Sequence, residues 1–189
     1  MKSHEKLFFD SFREVVKAIH STLDIREVLQ LLVIKVTQVM NLKGCAIRLL
    51  DPTRRTLELV ASHGLSEKYL SKGAVDADRS IAEAMEGKMV SIYNAAQDSR
   101  AQYQKEALEE GIFSIASVPF SIKGRVIGVL RLYTSEPRTF SEEEISFLEA
   151  LAEMGALAIE NARMYERIRK DYENVMTDIL TFVGYRRSI

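Results

Sequence analysis

Apolar residues near the N-terminus recur at a spacing that fits one face of a helix. The positions follow a 4-3-4 spacing: Phe8, Phe12, Val15 and Ile19. This pattern predicts an amphipathic helix over residues 7–19. A second helix is predicted from Asp24, a favourable N-cap with Glu27 three residues later, to about Asn41.

The last predicted helix is much longer than an average one and runs from residue 142 to about residue 182. Ser141 and Glu144 form a capping box at its start. Its first half is rich in small residues, which allow close packing: Ala150, Ala152, Gly155, Ala156, Ala158 and Ala162. Its second half is apolar at a 3-4-3-4-3 spacing: Tyr165, Ile168, Tyr172, Val175, Ile179 and Phe182. This heptad pattern predicts a coiled-coil-like seam that meets a partner helix.

Shorter patterns typical of strands lie between these helices. Two hairpins are predicted, the first pairing residues 45–50 with 57–62 and the second pairing 113–122 with 125–133. A further strand is predicted at 89–92, and short helices at 67–71, 81–86 and 102–109. This order predicts an α+β fold in which an antiparallel sheet of five or six strands packs helices on one face. We expect three segments: an N-terminal helix (1–20), one domain (21–164) and an extension of the last helix (165–189).

Composition narrows the class of protein. The formal net charge is −1, which gives no electrostatic reason to expect a nucleic-acid or membrane partner. The N-terminus lacks the apolar core of a signal peptide, and no apolar run approaches the roughly 18 residues of a membrane span. Cys45 is the only cysteine, which fits a reducing compartment. We therefore expect a cytoplasmic protein that binds neither nucleic acid nor membrane.

Several short motifs in a fixed order resemble those of the GAF domain family over roughly residues 20–165. The motifs are SHGLS at 62–66, GIFSIASVP at 111–119, GRVIGVL at 124–130, FSEEE at 140–144 and AIENA at 158–162. The resemblance implies a PAS-related sensor fold, with a helical bundle on one face of the sheet and a ligand pocket on the other. It also implies dimerisation through the terminal helices. Ligands across the family range from cyclic nucleotides and tetrapyrroles to 2-oxo acids, and some members bind nothing.

The motifs of three specialised GAF subclasses are absent from this chain. Cyclic-nucleotide members carry an Asn-Lys pair where this chain has Tyr133-Thr134, and an acid where it has Ile145. Bilin-binding members use an Asp-Ile-Pro signature that is missing here, and Cys45 lies within a predicted strand. Methionine sulfoxide reductases need several cysteines for thiol–disulfide exchange. None of these three activities is expected.

Other catalytic chemistry finds little support in the sequence. The histidines, His4, His20 and His63, are far apart and lack neighbouring ligands at the spacing of a metal site. No phosphate-binding loop or nucleophile motif occurs. We therefore predict no catalytic residues, no metal, no cofactor and a non-enzymatic protein.

Strand parity points to one candidate ligand site. Arg48 falls on the same face as Ala46 and Leu50, and Ile127, Val129, Arg131 and Tyr133 are expected to share one face of the last strand. Arg48 and Arg131 on adjacent strands would suit a carboxylate or phosphate. The alternative is that both are surface residues with acidic neighbours.

Ser80 and Ile81, at a predicted helix start, form a second candidate anion site. The resemblance adds pocket-wall residues: Ile92, Asp98, Tyr103, Ser114 and Ala116.

Two functional hypotheses follow. The first is a regulatory module that binds an unidentified small molecule, forms a homodimer and acts on a signalling partner in trans. Its predicted dimer interface joins the N-terminal stripe (Phe8, Phe12, Val15, Ile19) to the heptad seam. The second is a ligand-free dimerisation or protein-interaction module. The terminal helices folding back on their own domain remains an alternative to either interface.

Overall fold

The helices and strands follow the predicted order in a computed structural model that describes residues 2–21, 24–51, 53, 56–73, 75–76 and 82–186, without the side chains of residues 2–5, 180 and 182–186. The helices are α1 (Lys2–Ser21), α2 (Ile25–Val39), α3 (Glu67–Leu70), α4 (Gln104–Glu110) and α5 (Glu142–Arg186). The strands are β1 (Gly44–Asp51), β2 (Thr56–His63), β3 (Val75–Asp76), β4 (Val90–Ile92), β5 (Ser114–Ile122) and β6 (Arg125–Thr134). In place of the helix predicted at 81–86, the described residues show a 3₁₀ turn at Ala84–Glu86.

The strands form one antiparallel sheet in the order β3-β2-β1-β6-β5-β4. Both predicted hairpins are present. The sheet has six strands, the larger of the two numbers expected from the sequence. The two-residue β3 is the strand that no sequence pattern indicates, because it is too short to show alternation. The central pair, β1 and β6, comes from different hairpins, so the two halves of the chain meet at the middle of the sheet.

One face of the sheet is covered by α1, α2 and α5, which enclose the main hydrophobic core. Two of the predicted helix starts, those of α2 and α5, carry the expected N-cap residue. Asp24 accepts a hydrogen bond from the Arg26 backbone at 2.9 Å. Ser141 and Glu144 form the reciprocal capping box, with distances of 2.9 Å and 3.2 Å between side chain and backbone. The described helices all lack a segment long and apolar enough to cross a membrane.

The apolar stripe of α1 packs into the core of its own chain, which corrects its assignment to a dimer interface. Val15 is fully buried, and Phe8 stacks on Phe147 with ring centroids 4.4 Å apart. Phe12 and Ile19 are partly buried against the same core. The periodicity located the apolar face correctly, but a neighbouring surface formed by α2 and α5 was available to cover it.

A register shift in the second hairpin corrects the expected parity of Ile127. Phe120 pairs with Gly128 and Ser121 with Val126, so Ile127 is an extra residue in β6. This bulge reverses the alternation of side chains along the strand. Ile127 therefore joins the core under the helices, whereas residues 129, 131 and 133 point to the other face.

Gly155 shows why the first half of α5 is rich in small residues. A Cβ atom at this position would lie 2.4 Å from Cε1 of Phe120 and 3.1 Å from Cδ1 of Leu32, both of which are fully buried. Gly155→Ala is therefore expected to lower the free energy of unfolding by about 1–3 kcal/mol, although alanine favours helices by about 1 kcal/mol. Urea denaturation measures the change. In a Phe120→Leu background the cost should shrink, and an equal cost in both backgrounds would contradict the proposed contact.

Candidate ligand-binding site

The face of the sheet opposite the helical layer carries both candidate arginines; we call it the arginine face. Arg48 alternates with Ala46 and Leu50 on β1, and Arg131 alternates with Val129 and Tyr133 on β6. Arg131 pairs directly with Ala46, two residues from Arg48. The two arginines are therefore diagonal neighbours, a relation that places Cβ atoms about 7 Å apart. This spacing lets two long side chains reach one small molecule.

Arg48 is only 3% exposed, yet most of its guanidinium is not used by the fold. Nη1 donates to the Leu57 carbonyl oxygen at 3.2 Å. Among the described residues, Nε and Nη2 have no hydrogen-bond partner, and no carboxylate forms an ion pair with this side chain. Gly128 permits the close approach of β1 and β6 at this point, since a Cβ atom on it would lie 2.4 Å from the Arg48 carbonyl oxygen. A buried cation with unsatisfied donors is costly unless an anion binds it.

Arg131 is 4% exposed and lies over the ring of Tyr133, 5.8 Å from its centroid. Ser117 on β5 is directly opposite Arg131 and is also buried. The arginine face thus has a serine paired with Arg131 across the strands and an aromatic ring under its guanidinium. These groups suit an anion that has further hydrogen-bonding atoms.

Helix α3 covers part of the arginine face through Tyr69. This side chain is 3% exposed and packs edge-on against Tyr133, with ring centroids 5.7 Å apart. Burial raises the pKa of Tyr69, while the nearby charges of Arg131 and Arg48 oppose that rise. Ser66 caps α3, and its backbone N–H donates to Glu110 of α4 at 2.9 Å. The α3–α4 contact therefore helps to fix Tyr69 against Tyr133 on the arginine face.

Lys72, just after α3, adds a third cation. Its Nζ donates to the Tyr69 carbonyl oxygen at 2.9 Å and lies 3.5 Å from the Tyr69 ring centroid. The ring of Tyr103 is 5.6 Å away. Burial, followed by repulsion from Arg48 and Arg131, lowers the pKa of Lys72 to about 7. The amine therefore changes charge near neutral pH, where the charges of both arginines act on it.

The remaining predicted pocket residues divide into two groups. Ile92 is buried in the same cluster as Tyr69 and Tyr133, and Tyr103 lies beside Lys72. Asp98 instead accepts hydrogen bonds from Arg100, among them one of 3.0 Å from Nε and one of 2.7 Å from Nη2, and this hydrogen bonding lowers its pKa. Asp98 is therefore occupied by a structural ion pair, not turned toward the arginines.

Two other pocket-wall predictions, Ser114 and Ala116, are corrected. Ala116 belongs to the core under the helices, and Ser114 has the same strand parity. The Ser114 hydroxyl donates to the Tyr93 carbonyl oxygen at 2.8 Å, so it joins two backbone segments. The face was assigned by resemblance, and the strand register places Ile115 and Ser117 there instead. Ser80 and Ile81 lie outside the described residues.

Sequence reasoning missed Tyr69, Lys72, Ser117 and Tyr133 as members of the candidate site. Tyr133 and Ser117 had a usable signal, because strand parity and the hairpin register place them beside Arg131. Tyr69 and Lys72 had none, since they come from a short helix and a turn whose docking depends on α4.

The single cysteine and the histidines form no reactive centre in the described ranges. Cys45 is fully buried in the main core, and burial raises the pKa of its thiol. No group of three or more histidine, cysteine, aspartate or glutamate side chains is placed to hold a metal ion in the described part of the chain.

The predicted seam on α5 is exposed along its described length. Every described side chain from residue 163 to 179 is exposed, including Ile168 at 62% and Tyr172 at 64%. The exposed apolar residues also include Met164, Tyr165, Val175, Met176 and Ile179. The side chain of Phe182 lies outside the described residues. A groove of about 540 Å³ adjoins the start of the seam between α5 and the start of α2, and Ile25, Ala162 and Tyr165 are among its lining residues.

Comparison with known proteins gives the family. A GAF domain family model matches residues 22–160. The chain is 24% identical over 181 residues to the formate hydrogenlyase transcriptional activator of Salmonella typhimurium, covering 90% of this chain and 26% of that protein. It is 29% identical over 181 residues to the methyl sulfide methyltransferase-associated sensor of Methanosarcina acetivorans, covering 92% of this chain and 18% of that protein. It thus spans 26% and 18% of these two relatives, one named as a transcriptional activator and the other as a sensor.

A solved structure agrees with these matches. The GAF domain of the Acinetobacter phosphoenolpyruvate-protein phosphotransferase superposes with a TM-score of 0.69 at 26% identity, covering 82% of this chain and 94% of that one. The sheet order, the helical layer and the long last helix fit this fold. On the match of the family model over most of its length, the chain belongs to the GAF domain family of signalling and sensor modules.

Proposed function

We propose that this chain is a non-enzymatic regulatory module that binds a small anionic molecule on the arginine face and dimerises through α5. Ligand binding is supported mainly by the state of Arg48. This side chain is 3% exposed, and two of its guanidinium nitrogens lack partners among the described residues. The names of the two relatives, a transcriptional activator and a sensor, support a role in regulation. The single cysteine, Cys45, fits a reducing compartment and so supports a cytoplasmic location.

The anionic character of the ligand follows from the cost of the site when it is empty. Burying an ion without a partner costs several kcal/mol in a protein interior. Two guanidinium nitrogens of Arg48 lack a partner among the described residues, and burial, followed by repulsion from Arg48 and Arg131, lowers the pKa of Lys72. A carboxylate or phosphate would satisfy the Arg48 donors and relieve this repulsion, so its binding should be favourable.

Dimerisation through α5 is supported by the exposed seam. The 24 or so residues after position 162 would project about 36 Å from the domain at 1.5 Å per residue. An apolar stripe of that length is a liability in a monomer, and the heptad spacing matches a second copy of the same helix. Because the apolar face of α1 packs on the core of the same chain, the proposed dimer interface is restricted to α5.

Strand β6 gives the proposed ligand site a direct route to α5. Arg131 lies on one face of this strand, and Leu130 and Leu132 pack in the core under the helices on the other. A ligand that prefers one position of β6 would therefore bias the packing of α5. A signalling partner would read that change in trans.

A thermal-shift panel tests the ligand half of the proposal. Binding at about 100 times Kd stabilises a protein by about 2.7 kcal/mol, which is roughly 5–10 °C for a domain of this size. We expect such a rise in Tm with small carboxylates or phosphates and no rise with neutral sugars or amides. Failure of every anion to raise Tm would favour the competing function, a ligand-free dimerisation module.

A further inference from the structure

The function proposed above assigns no role to Lys72, which lies at the arginine face. Its neighbours come from four elements: Tyr69 on α3, Arg48 on β1, Arg131 on β6, and Glu106 and Glu110 on α4, with Tyr103 beside its amine. Its Nζ donates a hydrogen bond to a backbone carbonyl, and among the described residues it forms no ion pair. A lysine held beside two arginines is poorly placed to stabilise the empty site.

The same placement suits a ligand with two negative charges. The arginines rise from the sheet, whereas Lys72 belongs to the segment that covers the sheet through Tyr69. One acidic group can bind the arginines while a second reaches the amine.

We propose that the ligand is a compact dianion, such as a dicarboxylate or a phosphate, and that Lys72 binds its second charge and takes up a proton in doing so. This inference rests on the proposed function, because it needs Arg48 and Arg131 to hold the first acidic group. A monoanion on the arginines would relieve part of their repulsion of Lys72 but would offer the amine no partner, so it should favour protonation of Lys72 less than a dianion does.

The direction of the pH dependence follows from the balance of charges. Burial and the two arginines outweigh Glu106 and Glu110 and hold the pKa of Lys72 at about 7 in the empty site. A bound dianion raises that pKa. Below pH 7 the amine is already protonated and no proton is taken up. Above it, binding takes up about one proton, and affinity falls by up to tenfold per pH unit until the pKa of the complex is reached.

Isothermal titration calorimetry of the full chain tests this with three probes: sulfate, malonate and acetate. At pH 8, two buffers with different ionisation enthalpies report the protons taken up. We expect at least one dianion to bind at least tenfold more tightly than acetate, with about one proton taken up at pH 8 and almost none at pH 6. Lys72→Met should remove both the preference and the uptake while acetate still binds. Lys72→Arg should keep the preference and lose the uptake.

Lys105→Met is the matched control, because Lys105 is an exposed lysine on α4 outside the described contacts between α3 and α4. It should bind all three probes as the unaltered chain does. Equal binding of dianions and acetate, weakened by Arg48→Met and without proton uptake, would overturn the role of Lys72 and leave the anion site standing. Binding of none of the three, or binding insensitive to Arg48→Met, would overturn both. Proton uptake that persists in Lys72→Met would assign the proton to another group and contradict the inference.

Discussion

Replacing Arg48 with methionine is expected to weaken anion binding at least about thirtyfold and to stabilise the ligand-free protein. The first effect arises because truncating one partner of a buried charge pair costs about 2–5 kcal/mol. The second arises because Arg48 is buried with two unsatisfied donors, so its removal relieves an uncompensated charge. Exchanging buried ionic groups for apolar ones of similar volume often stabilises a protein by about 1–4 kcal/mol. Anion affinity should therefore fall while the stability of the ligand-free protein rises, a combination that a general loss of structure would not produce.

Calorimetric titration with malonate and urea denaturation without ligand measure these effects. Arg125→Met is the matched control, because this residue lies on β6 but is exposed, and it should change neither quantity. A loss of stability in Arg48→Met would mean that the bond to the Leu57 carbonyl oxygen outweighs the cost of burial. Arg48 would then be a structural residue, and the argument for an anionic ligand would lose its main observation.

Placing glutamate at both Ile168 and Val175 is expected to convert a dimer into a monomer. Both side chains are more than half exposed in the single chain, so the substitution should leave the domain folded. In a paired seam the same positions are buried, and each copy would bring two charges into it. At several kcal/mol per buried ion, the dimer Kd should rise by at least about a thousandfold.

Sedimentation equilibrium over a range of concentrations measures this change, and circular dichroism checks that α5 remains helical. Lys170→Glu with Asn174→Glu is the matched control, since both residues are exposed on α5 away from the seam. A monomeric unaltered chain would contradict the seam itself. A dimer that survives the double substitution would move the interface to another surface, such as the exposed Leu7 and Phe9 on α1.

The sequence by itself determined the features that depend on local spacing. Alternation along β1 and β6 placed Arg48 and Arg131 on one face, and both are buried on that face. The capping box at Ser141 and Glu144 located the start of α5. Helical periodicity identified both apolar stripes. Each of these follows from a repeat of two or 3.6 residues, which needs no knowledge of distant parts of the chain.

Only the tertiary structure decided what those faces contact. The α1 and α5 stripes look alike in the sequence, but Val15 is buried by α2 and α5, whereas Ile168 lies beyond the domain and stays exposed. The bulge at Ile127 depends on the register with β5, and a one-residue shift moves a side chain to the other face. Lys72 lies against the Tyr69 ring, on the side of the sheet that carries the arginines, because α3 docks on α4 through Ser66 and Glu110. Such contacts join residues far apart in the chain, so no local pattern encodes them.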